Sequence, residues 1–215
     1  MTALEARATT AALRVENLVV RRGGRTVIDG LDLHASPGEI VGVIGKNGCG
    51  KSTLLMTIAG VLAPTALRIL VAGASVWGST RERTRARTAL GYVPEGADAP
   101  GFLRGSELWA LCAAARGTTP PSPALTEQLG LDEVADLALE RMSLGQRRRA
   151  CLGAALLGPP ALLVLDEPDN GLDARRLEAL VRLLREHAAA GRGAILSTHD
   201  AGLLDQIGAR TVSLV

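Results

Sequence analysis

The stretch Gly45–Thr53 has residue types and a spacing suited to binding phosphate groups. It reads Gly-Lys-Asn-Gly-Cys-Gly-Lys-Ser-Thr and fits the pattern G-x-x-x-x-G-K-[ST], in which a glycine-rich loop wraps its backbone N–H groups around phosphates. We expect Lys51 to reach the β- and γ-phosphates of a nucleoside triphosphate and Ser52 to offer its hydroxyl to Mg²⁺. The residues that we assign to this phosphate site are Gly45, Asn47, Gly48, Cys49, Gly50, Lys51, Ser52 and Thr53.

The segments on either side of this loop have the composition that the motif requires. Residues 39–44 form a largely apolar, β-branched run that is typical of a strand. Residues 54–60 are helix-forming residues closed by a glycine. A strand, a phosphate loop and a helix in this order disfavour the alternative of a chance glycine-rich turn.

Two adjacent carboxylates close a second apolar run. Residues 161–165 read Ala-Leu-Leu-Val-Leu, which is typical of a strand buried on both faces of a parallel sheet, and Asp166 and Glu167 follow. Ligands of open α/β sheets bind at the carboxyl ends of the strands. We therefore expect Asp166 to hold Mg²⁺ and Glu167 to deprotonate an attacking water, rather than both residues forming a solvated strand end.

Two weaker signals lie elsewhere in the chain. Ser143, Gly145 and Gln146 open an amphipathic stretch and could form a second anion-binding helix terminus, although a serine before a helix is more often only a cap. His199 follows a short apolar strand at 194–197. A single histidine is most often structural, but beside a γ-phosphate it could stabilise charge in the transition state.

The composition bounds the class of protein. The chain has 215 residues, 47% of them hydrophobic, which is enough for one large domain, and it contains no run of the roughly 18 apolar residues that a membrane helix needs. The net charge of +2 argues against a nucleic-acid surface, and we interpret the arginine clusters at 81–87 and 147–149 as solvated helix faces. The three cysteines indicate neither a disulfide framework nor a zinc site, and we expect Cys112 and Cys151 in the core.

Hydrophobic patterning predicts an α/β fold. We interpret residues 1–12 as a disordered leader and residues 13–215 as one domain. Strands are predicted on both sides of the phosphate loop, with a hairpin turn at Asp29-Gly30. Residues 95–158 contain no clear strand, which predicts a helical subdomain inserted into the α/β body formed by residues 13–94 and 159–215. Beyond it, the pattern predicts a helix over residues 174–190 and further strands at 194–197 and 210–215.

In this order the motifs resemble those of the ATP-binding cassette (ABC) ATPases, the nucleotide-binding subunits of ABC transporters. The resemblance covers roughly residues 13–215 and is strongest toward the ATPases of peptide and drug exporters. The stretches that carry it are similar to the Walker A motif, the Q-loop, the signature, the Walker B motif, the D-loop and the switch histidine, and they are Gly45–Thr53, Glu95, Ser143–Gln146, Leu162–Glu167, Asn170–Asp173 and His199.

The resemblance implies a fold, a mechanism and partners. The fold would be that of a P-loop NTPase, with a RecA-like core sheet, an antiparallel β subdomain and an inserted helical subdomain. Two subunits would close head-to-tail over two ATP molecules, each site being completed by Ser143, Gly145 and Gln146 of the other subunit. Glu167 would be the general base, and Mg²⁺ would be held by Ser52, Asp166 and Glu95. A separate transmembrane permease would dock on the helical subdomain, which implies a cytoplasmic protein, peripheral on the inner face of the membrane.

Three residues depart from the family pattern. Arg22 stands where an aromatic residue usually stacks on adenine, with Val27 nearby in the chain. A guanidinium can also stack on a base, and we expect weaker or less base-selective binding there. Glu95 replaces the usual glutamine, and Leu144 replaces the first glycine of the signature. Because Lys51 and the other residues expected for hydrolysis are present, we expect an active ATPase.

Several functions remain open from the sequence. The leading interpretation is the ATPase subunit of an exporter, which rests on Glu95, on the Ser143-Leu144-Gly145 form and on a short chain without a regulatory domain. A haem exporter subunit is a related possibility. A soluble cassette protein that acts on ribosomes or DNA, and a protein that binds nucleotide without hydrolysing it, are alternatives of other classes.

Overall fold

The computed structural model describes residues 11–214, without the side chains of residues 66 and 67. The predicted leader therefore lies largely outside the described residues. Its last residue, Ala12, is instead packed in the domain: it is buried, and its carbonyl accepts a 3.1 Å hydrogen bond from the backbone N–H of Ala72.

A five-stranded parallel sheet forms the centre of the domain, with the strand order β6-β7-β8-β3-β9. Its strands are β3 (Ile40–Ile44), β6 (Leu90–Val93), β7 (Leu162–Asp166), β8 (Gly193–Ser197) and β9 (Arg210–Ser213). Every residue of β7 and β8 is buried, as the apolar run at 161–165 predicts. Side chains of β7 alternate between two apolar clusters on opposite faces, since Leu163 and Leu165 belong to one and Leu162 and Val164 to the other.

A four-stranded antiparallel sheet packs beside the parallel one. Its order is β2-β1-β4-β5, and its strands are β1 (Leu13–Arg22), β2 (Arg25–Ala35), β4 (Ala66–Val71) and β5 (Ala74–Ser75). The predicted hairpin at Asp29-Gly30 is wrong, because the chain turns at Gly23-Gly24 and β2 runs on through Gly30. Gly30 instead has a φ of 65° opposite an irregularity in β1, so the dipeptide that favours a turn serves here to bend a strand.

Helices cover the parallel sheet. They are α1 (Lys51–Ile58), α2 (Thr80–Thr88), α6 (Ala174–Ala189) and α7 (Ala201–Ile207). Helix α6 buries Leu180, Val181, Leu183 and Leu184 against the sheet. Helix α7 is not predicted from the sequence, because only seven residues separate its cap Asp200 from the glycine that ends it.

The segment between β6 and β7 is helical, as expected. It contains α3 (Gly105–Arg116), α4 (Pro123–Leu129) and α5 (Leu144–Ala155), with short 3₁₀ turns at Leu131–Val134 and Leu139–Arg141. Its described residues form no strand beyond the single bridge between Arg104 and Ala138. The predicted fold class is therefore confirmed, while the domain boundaries that we give remain a prediction.

The interpretation of the second arginine cluster as a solvated helix face is wrong. Arg148 is 0% exposed and Arg149 is 5% exposed, so two of the three guanidinium groups in the first turns of α5 point into the protein. Charged groups are normally excluded from the interior unless they are paired, so these two side chains have structural or functional roles. Of the cysteines, Cys151 is buried as expected, and Cys112 is only partly buried.

Candidate functional site

The phosphate loop joins the buried strand β3 to helix α1, as its motif requires. Gly50 precedes the helix with a φ of 107°, a conformation open to glycine but strained for other residues. A Cβ atom on Gly50 would lie 2.8 Å from Cγ1 of Val27, and one on Gly45 would lie 2.6 Å from both Sγ of Cys49 and the carbonyl oxygen of Leu214. The glycines are therefore required by close packing around the loop as well as by its conformation.

A cleft of about 680 Å³ opens beside the loop, a volume in the range of small-molecule sites. It brings together residues from the antiparallel sheet, the phosphate loop, the start of the helical segment and the ends of β7 and β8. Its lining residues are Arg22, Val27, Asn47, Gly48, Gly50, Lys51, Ser52, Thr53, Glu95, Glu167, Asn170 and His199. Most of the residues that the sequence assigns to one site are thus neighbours in space.

Lys51, His199 and Glu167 form a chain of contacts in this cleft. Nζ of Lys51 donates to the carbonyl of Gly45 at 3.0 Å and lies 3.3 Å from Nε2 of His199. The same Nε2 lies 3.3 Å from Oε1 of Glu167. In a neutral imidazole Nε2 either accepts a hydrogen bond from the ammonium or donates one to the carboxylate, so the two hydrogen bonds exclude each other. His199 can therefore exchange partners when charge in the cleft changes.

The backbone holds Glu167 in an unusual conformation. Its φ of 48° lies in the left-handed region, which costs a non-glycine residue energy and which is concentrated at functional sites. Its N–H donates to the carbonyl and to the hydroxyl oxygen of Ser197, at 3.2 and 2.9 Å. Burial raises the pKa of the Glu167 carboxyl above its usual range, and Asp169 and Asp166 raise it further, against the opposing charges of His199 and Lys51. A carboxylate with a raised pKa is the better proton acceptor that a general base needs.

Asp166 lies behind the cleft rather than in its lining. It is 2% exposed, and its Oδ1 accepts a 2.6 Å hydrogen bond from the hydroxyl of Ser197, its register partner on β8. Sequence reasoning missed Ser197, because only the pairing of β7 with β8 brings its hydroxyl to Asp166. Asn170, which the sequence assigned to the D-loop resemblance but not to the nucleotide site, also lines the cleft.

The oxygen atoms near the cleft suit a Mg²⁺ ion that is bound together with a nucleotide, rather than a metal ion bound by protein groups alone. Ser52 and Glu95 line the cleft and Asp166 lies at its base, which provides hard oxygen ligands. Among residues 11–214, no group of three or more histidine, cysteine or acidic side chains is arranged to hold a metal ion. Mg²⁺ is usually bound through one or two carboxylates together with substrate phosphates, so this donor set suits a metal–nucleotide complex.

The structure does not bring Ser143, Gly145 and Gln146 to this cleft. Ser143 caps helix α5: its hydroxyl accepts from the N–H of Gln146 at 3.3 Å, and the Gln146 side chain accepts from the N–H of Ser143 at 2.9 Å. A Cβ on Gly145 would lie 3.0 Å from the carbonyl of Gly171. The capping role that the sequence offered as an alternative is thus present. Because these residues lie outside the cleft, they can contact a nucleotide only if another chain holds it.

The end of the cleft beside β1 and β2 contains no aromatic side chain. Arg22 and Val27 line it. The chain has four aromatic residues, none of which lines the cleft, and they are Trp77, Tyr92, Phe102 and Trp109. Gly45 and Cys49 are also absent from the lining, because Cys49 packs against Gly45 within the loop. The geometry thus provides well for phosphates and offers little surface for stacking a base.

Fold and site together define a P-loop nucleotide-binding domain with an inserted helical segment. The family model described as ABC transporter matches residues 28–170, and the chain belongs to this family. A putative ABC transporter ATP-binding protein of Streptomyces avermitilis is 40% identical over an alignment of 205 residues that covers 93% of this chain and 36% of that protein. A cytochrome c biogenesis ATP-binding export protein of Bordetella parapertussis is 37% identical over 92% of this chain and 87% of its own length.

A solved ATP-binding subunit of an ABC transporter has the same fold. It matches with a TM-score of 0.86 and 27% identity over 94% of this chain and 85% of its own. Relatives named for import also exist, among them a zinc import ATP-binding protein of Cereibacter sphaeroides that is 35% identical over 87% of this chain and 72% of its own length. The chain spans about a third of the length of its Streptomyces avermitilis relative. Within residues 11–214, no helix has the length and apolar character needed to cross a bilayer.

Proposed function

We propose that this chain is the ATP-binding and ATP-hydrolysing subunit of an ABC transporter and that it powers export through a separate membrane permease. The observation that carries the proposal is the chain of contacts from Lys51 through His199 to Glu167 beside the phosphate loop. It supplies an ammonium group for the phosphates, an imidazole and a carboxylate with a raised pKa, the groups that in-line phosphoryl transfer to water requires.

Each group has a distinct role in this proposal. The ammonium of Lys51 binds the β- and γ-phosphates, which releases Nε2 of His199 from its contact with Lys51. His199 then donates a hydrogen bond to the γ-phosphate, where negative charge develops. Glu167 accepts the proton of the attacking water. Ser52, Asp166 and Glu95 would hold Mg²⁺, which would neutralise phosphate charge in the transition state.

A second subunit completes the site. Ser143, Gly145 and Gln146 lie at the N-terminus of the twelve-residue helix α5, outside the cleft of their own chain. Exposed N–H groups at a helix N-terminus attract phosphate, so these residues can contact the triphosphate that another copy or a related chain holds. The proposal fits a homodimer and a heterodimer equally.

The helical segment offers a surface for the permease. Phe102 is 76% exposed, and Leu137 is 37% exposed in a neighbouring stretch. The two stretches are joined by backbone hydrogen bonds from Leu139 to the carbonyl of Leu103 and from Glu140 to that of Gly101, both 2.9 Å. We place the permease contact on this braced apolar surface, and the subunit on the cytoplasmic face of the membrane.

Fewer observations support the direction of transport, export, than support a role in transport. It rests on Glu95, on the Ser143-Leu144-Gly145 form and on the resemblance to exporter ATPases that these carry. A haem exporter subunit is the second candidate, because the relative named for cytochrome c biogenesis and export matches over 87% of its own length. A cassette protein acting on ribosomes or DNA is the alternative from another class, and purification of the tagged chain from membranes discriminates: a co-purifying permease supports transport, and co-purifying ribosomes contradict it.

Phosphate release tests the catalytic assignment. Glu167→Gln should lower the rate by about a hundred-fold or more, because the general base is lost while phosphate binding remains, and it should accumulate an ATP-bound dimer in size-exclusion chromatography. Glu178→Gln, at an exposed site on α6, is the matched control and should hydrolyse ATP at the unmodified rate. A Glu167→Gln protein that remains monomeric and hydrolyses ATP normally would show that another group is the base.

A further inference from the structure

The guanidinium of Arg148 is a buried charge that the proposed function leaves without a role. Its side chain is 0% exposed, and Nη2 donates a 2.6 Å hydrogen bond to the backbone carbonyl of Glu95. Nε and Nη1 have no hydrogen-bond partner among the described residues. A buried guanidinium has lost its hydration, so donors that remain unpaired are costly and require an explanation.

The adjacent arginine in the same helix pairs both of its terminal guanidinium nitrogens, although its Nε also has no hydrogen-bond partner among the described residues. Arg149 donates to the carbonyls of Leu129 and Gly130 at 3.3 and 2.9 Å, and to Oε2 of Glu133 at 2.9 Å. These bonds fix α5 to α4 and to the 3₁₀ turn after it. Arg148 instead contacts Glu95, at the point where the helical segment leaves the parallel sheet.

An unpaired acceptor lies in the loop that follows β7. Oδ1 of Asp169 is buried and has no hydrogen-bond partner among residues 11–214. Burial lowers the pKa of Arg148, and the nearby carboxylates of Asp169, Glu95 and Glu167 oppose that shift, Asp169 most strongly. The two side chains are therefore within electrostatic range of each other without forming an ion pair.

Both side chains are attached to segments that line the nucleotide cleft. Asp169 lies in the loop after β7, between Glu167 and Asn170, and both of these line the cleft. Glu95, whose carbonyl Arg148 holds, lines its other side. A ligand that contacts both segments would therefore couple the position of the Arg148 donors to that of Asp169.

We infer that Arg148 and Asp169 are positioning residues that form an ion pair when a nucleotide fills the cleft, and that the pair ties the Glu95 segment to the loop carrying Glu167. The inference rests on the proposed function for the identity of the ligand. The pair satisfies Arg148 donors and a carboxylate oxygen that are otherwise unpaired, so its formation favours the nucleotide-bound arrangement. It also fixes α5, which carries Ser143, relative to the general base.

A double-mutant cycle with and without nucleotide tests the pair. The variants are Arg148→Gln, Asp169→Asn and the double variant, with affinity for a slowly hydrolysed Mg²⁺–ATP analogue and thermal unfolding as readouts. We expect each single variant to weaken nucleotide binding, and the double variant to bind about ten-fold more tightly than the two single losses multiplied together would give. Without nucleotide, the coupling of the two substitutions in the unfolding midpoint should be clearly smaller than with nucleotide, because the two charges interact without a hydrogen bond.

The matched control is the pair that is already formed in the same helix. Arg149→Lys and Glu133→Gln should show coupling in the unfolding midpoint that is the same with and without nucleotide, because their hydrogen bond does not depend on the cleft. The inference is overturned if the loss of affinity in the double variant equals the product of the losses in Arg148→Gln and Asp169→Asn. It is also overturned if the coupling in the unfolding midpoint is the same with and without nucleotide. If Arg148→Gln does not fold, a normal affinity in Asp169→Asn, which retains the buried arginine, overturns it equally.

An unmodified chain that does not bind the analogue overturns the proposed function and this inference together, whereas normal binding without coupling overturns the inference alone.

Discussion

Asp166 and Ser197 face each other across the parallel strands β7 and β8, and the Ser197 hydroxyl links Asp166 to the base that follows it. The hydroxyl donates to Oδ1 of Asp166 at 2.6 Å and accepts from the N–H of Glu167 at 2.9 Å. One side chain on β8 thereby orients the metal-ligand candidate and supports the left-handed backbone of the base candidate.

Replacing this hydroxyl should affect stability and hydrolysis together. Ser197→Ala leaves a buried carboxylate oxygen without its donor, which costs about 1–3 kcal/mol in the free energy of unfolding. We expect a loss of about ten-fold or more in the rate of phosphate release, because Asp166 and Glu167 both lose a fixed position. Urea unfolding and phosphate release measure the two effects. Ser213→Ala, at an exposed position on β9, is the control, and equal behaviour of the two variants would contradict the orienting role.

The charge on Glu167 should destabilise the folded protein at neutral pH. Its pKa is raised in the folded state, so the folded protein binds this proton more tightly than the unfolded chain does. Stability is therefore lost as pH rises from the ordinary carboxyl pKa through the raised one, and Glu167→Gln should be more stable than the unmodified chain at pH 7.5. The difference should shrink as pH falls through this window and be small below about 4.5, where both states are largely protonated. Chemical unfolding at pH 4 and pH 7.5 measures it, and a less stable variant at pH 7.5 would show that the carboxylate is well compensated in the fold.

Local sequence patterns predicted the parts of this protein that depend on one segment. The phosphate loop at Gly45–Thr53 and the buried strand β7 carry their signals in consecutive residues, and the structure has them where expected. The prediction of a hairpin turn at Asp29-Gly30 was wrong, because a dipeptide that permits a positive φ is compatible with a bulge as well as with a hairpin. Only the pairing of β2 with β1 decides between the two.

Features that depend on contacts between two distant segments could not be predicted from the sequence. The role of Ser197 follows from its register with Asp166, which the chain does not encode locally. The burial of Arg148 follows from the packing of α5 against the Glu95 segment, whereas three consecutive arginines alone indicate a solvated surface. The contact of Lys51 with His199 joins residues 148 positions apart, and the sequence, which assigned both residues to one nucleotide site, predicted no contact between them.

Selectivity for the nucleobase should be weak and open to improvement. Because only Arg22 and Val27 flank the end of the cleft beside β1 and β2, most of the binding free energy should come from the triphosphate. We expect ATP and CTP to compete with a fluorescent ATP analogue at concentrations within about ten-fold of each other, since stacking on an aromatic ring is worth about 1–3 kcal/mol per base and no such ring is present. Arg22→Tyr should strengthen ATP binding more than CTP binding. Arg25→Tyr, opposite Arg22 in the β1–β2 register and outside the cleft lining, is the control, and an unmodified chain that strongly prefers ATP would contradict the assignment of Arg22 and Val27.

His187 should make the protein sensitive to mild acid. The imidazole is 4% exposed on α6, its Nε2 lies 3.1 Å from the carbonyl of Gly193, and burial lowers its pKa to about 4. The unfolded chain takes up this proton near the ordinary histidine pKa of about 6.5, so stability is retained above that pH and falls as pH drops toward 4. The slope contributed by one proton is at most about 1.4 kcal/mol per pH unit. Urea unfolding between pH 4 and pH 7 should show a shallower decline for His187→Gln than for the unmodified chain, whereas His34→Gln, at an exposed position on β2, should follow the unmodified curve. Parallel curves for His187→Gln and the unmodified chain would assign the acid sensitivity to other groups.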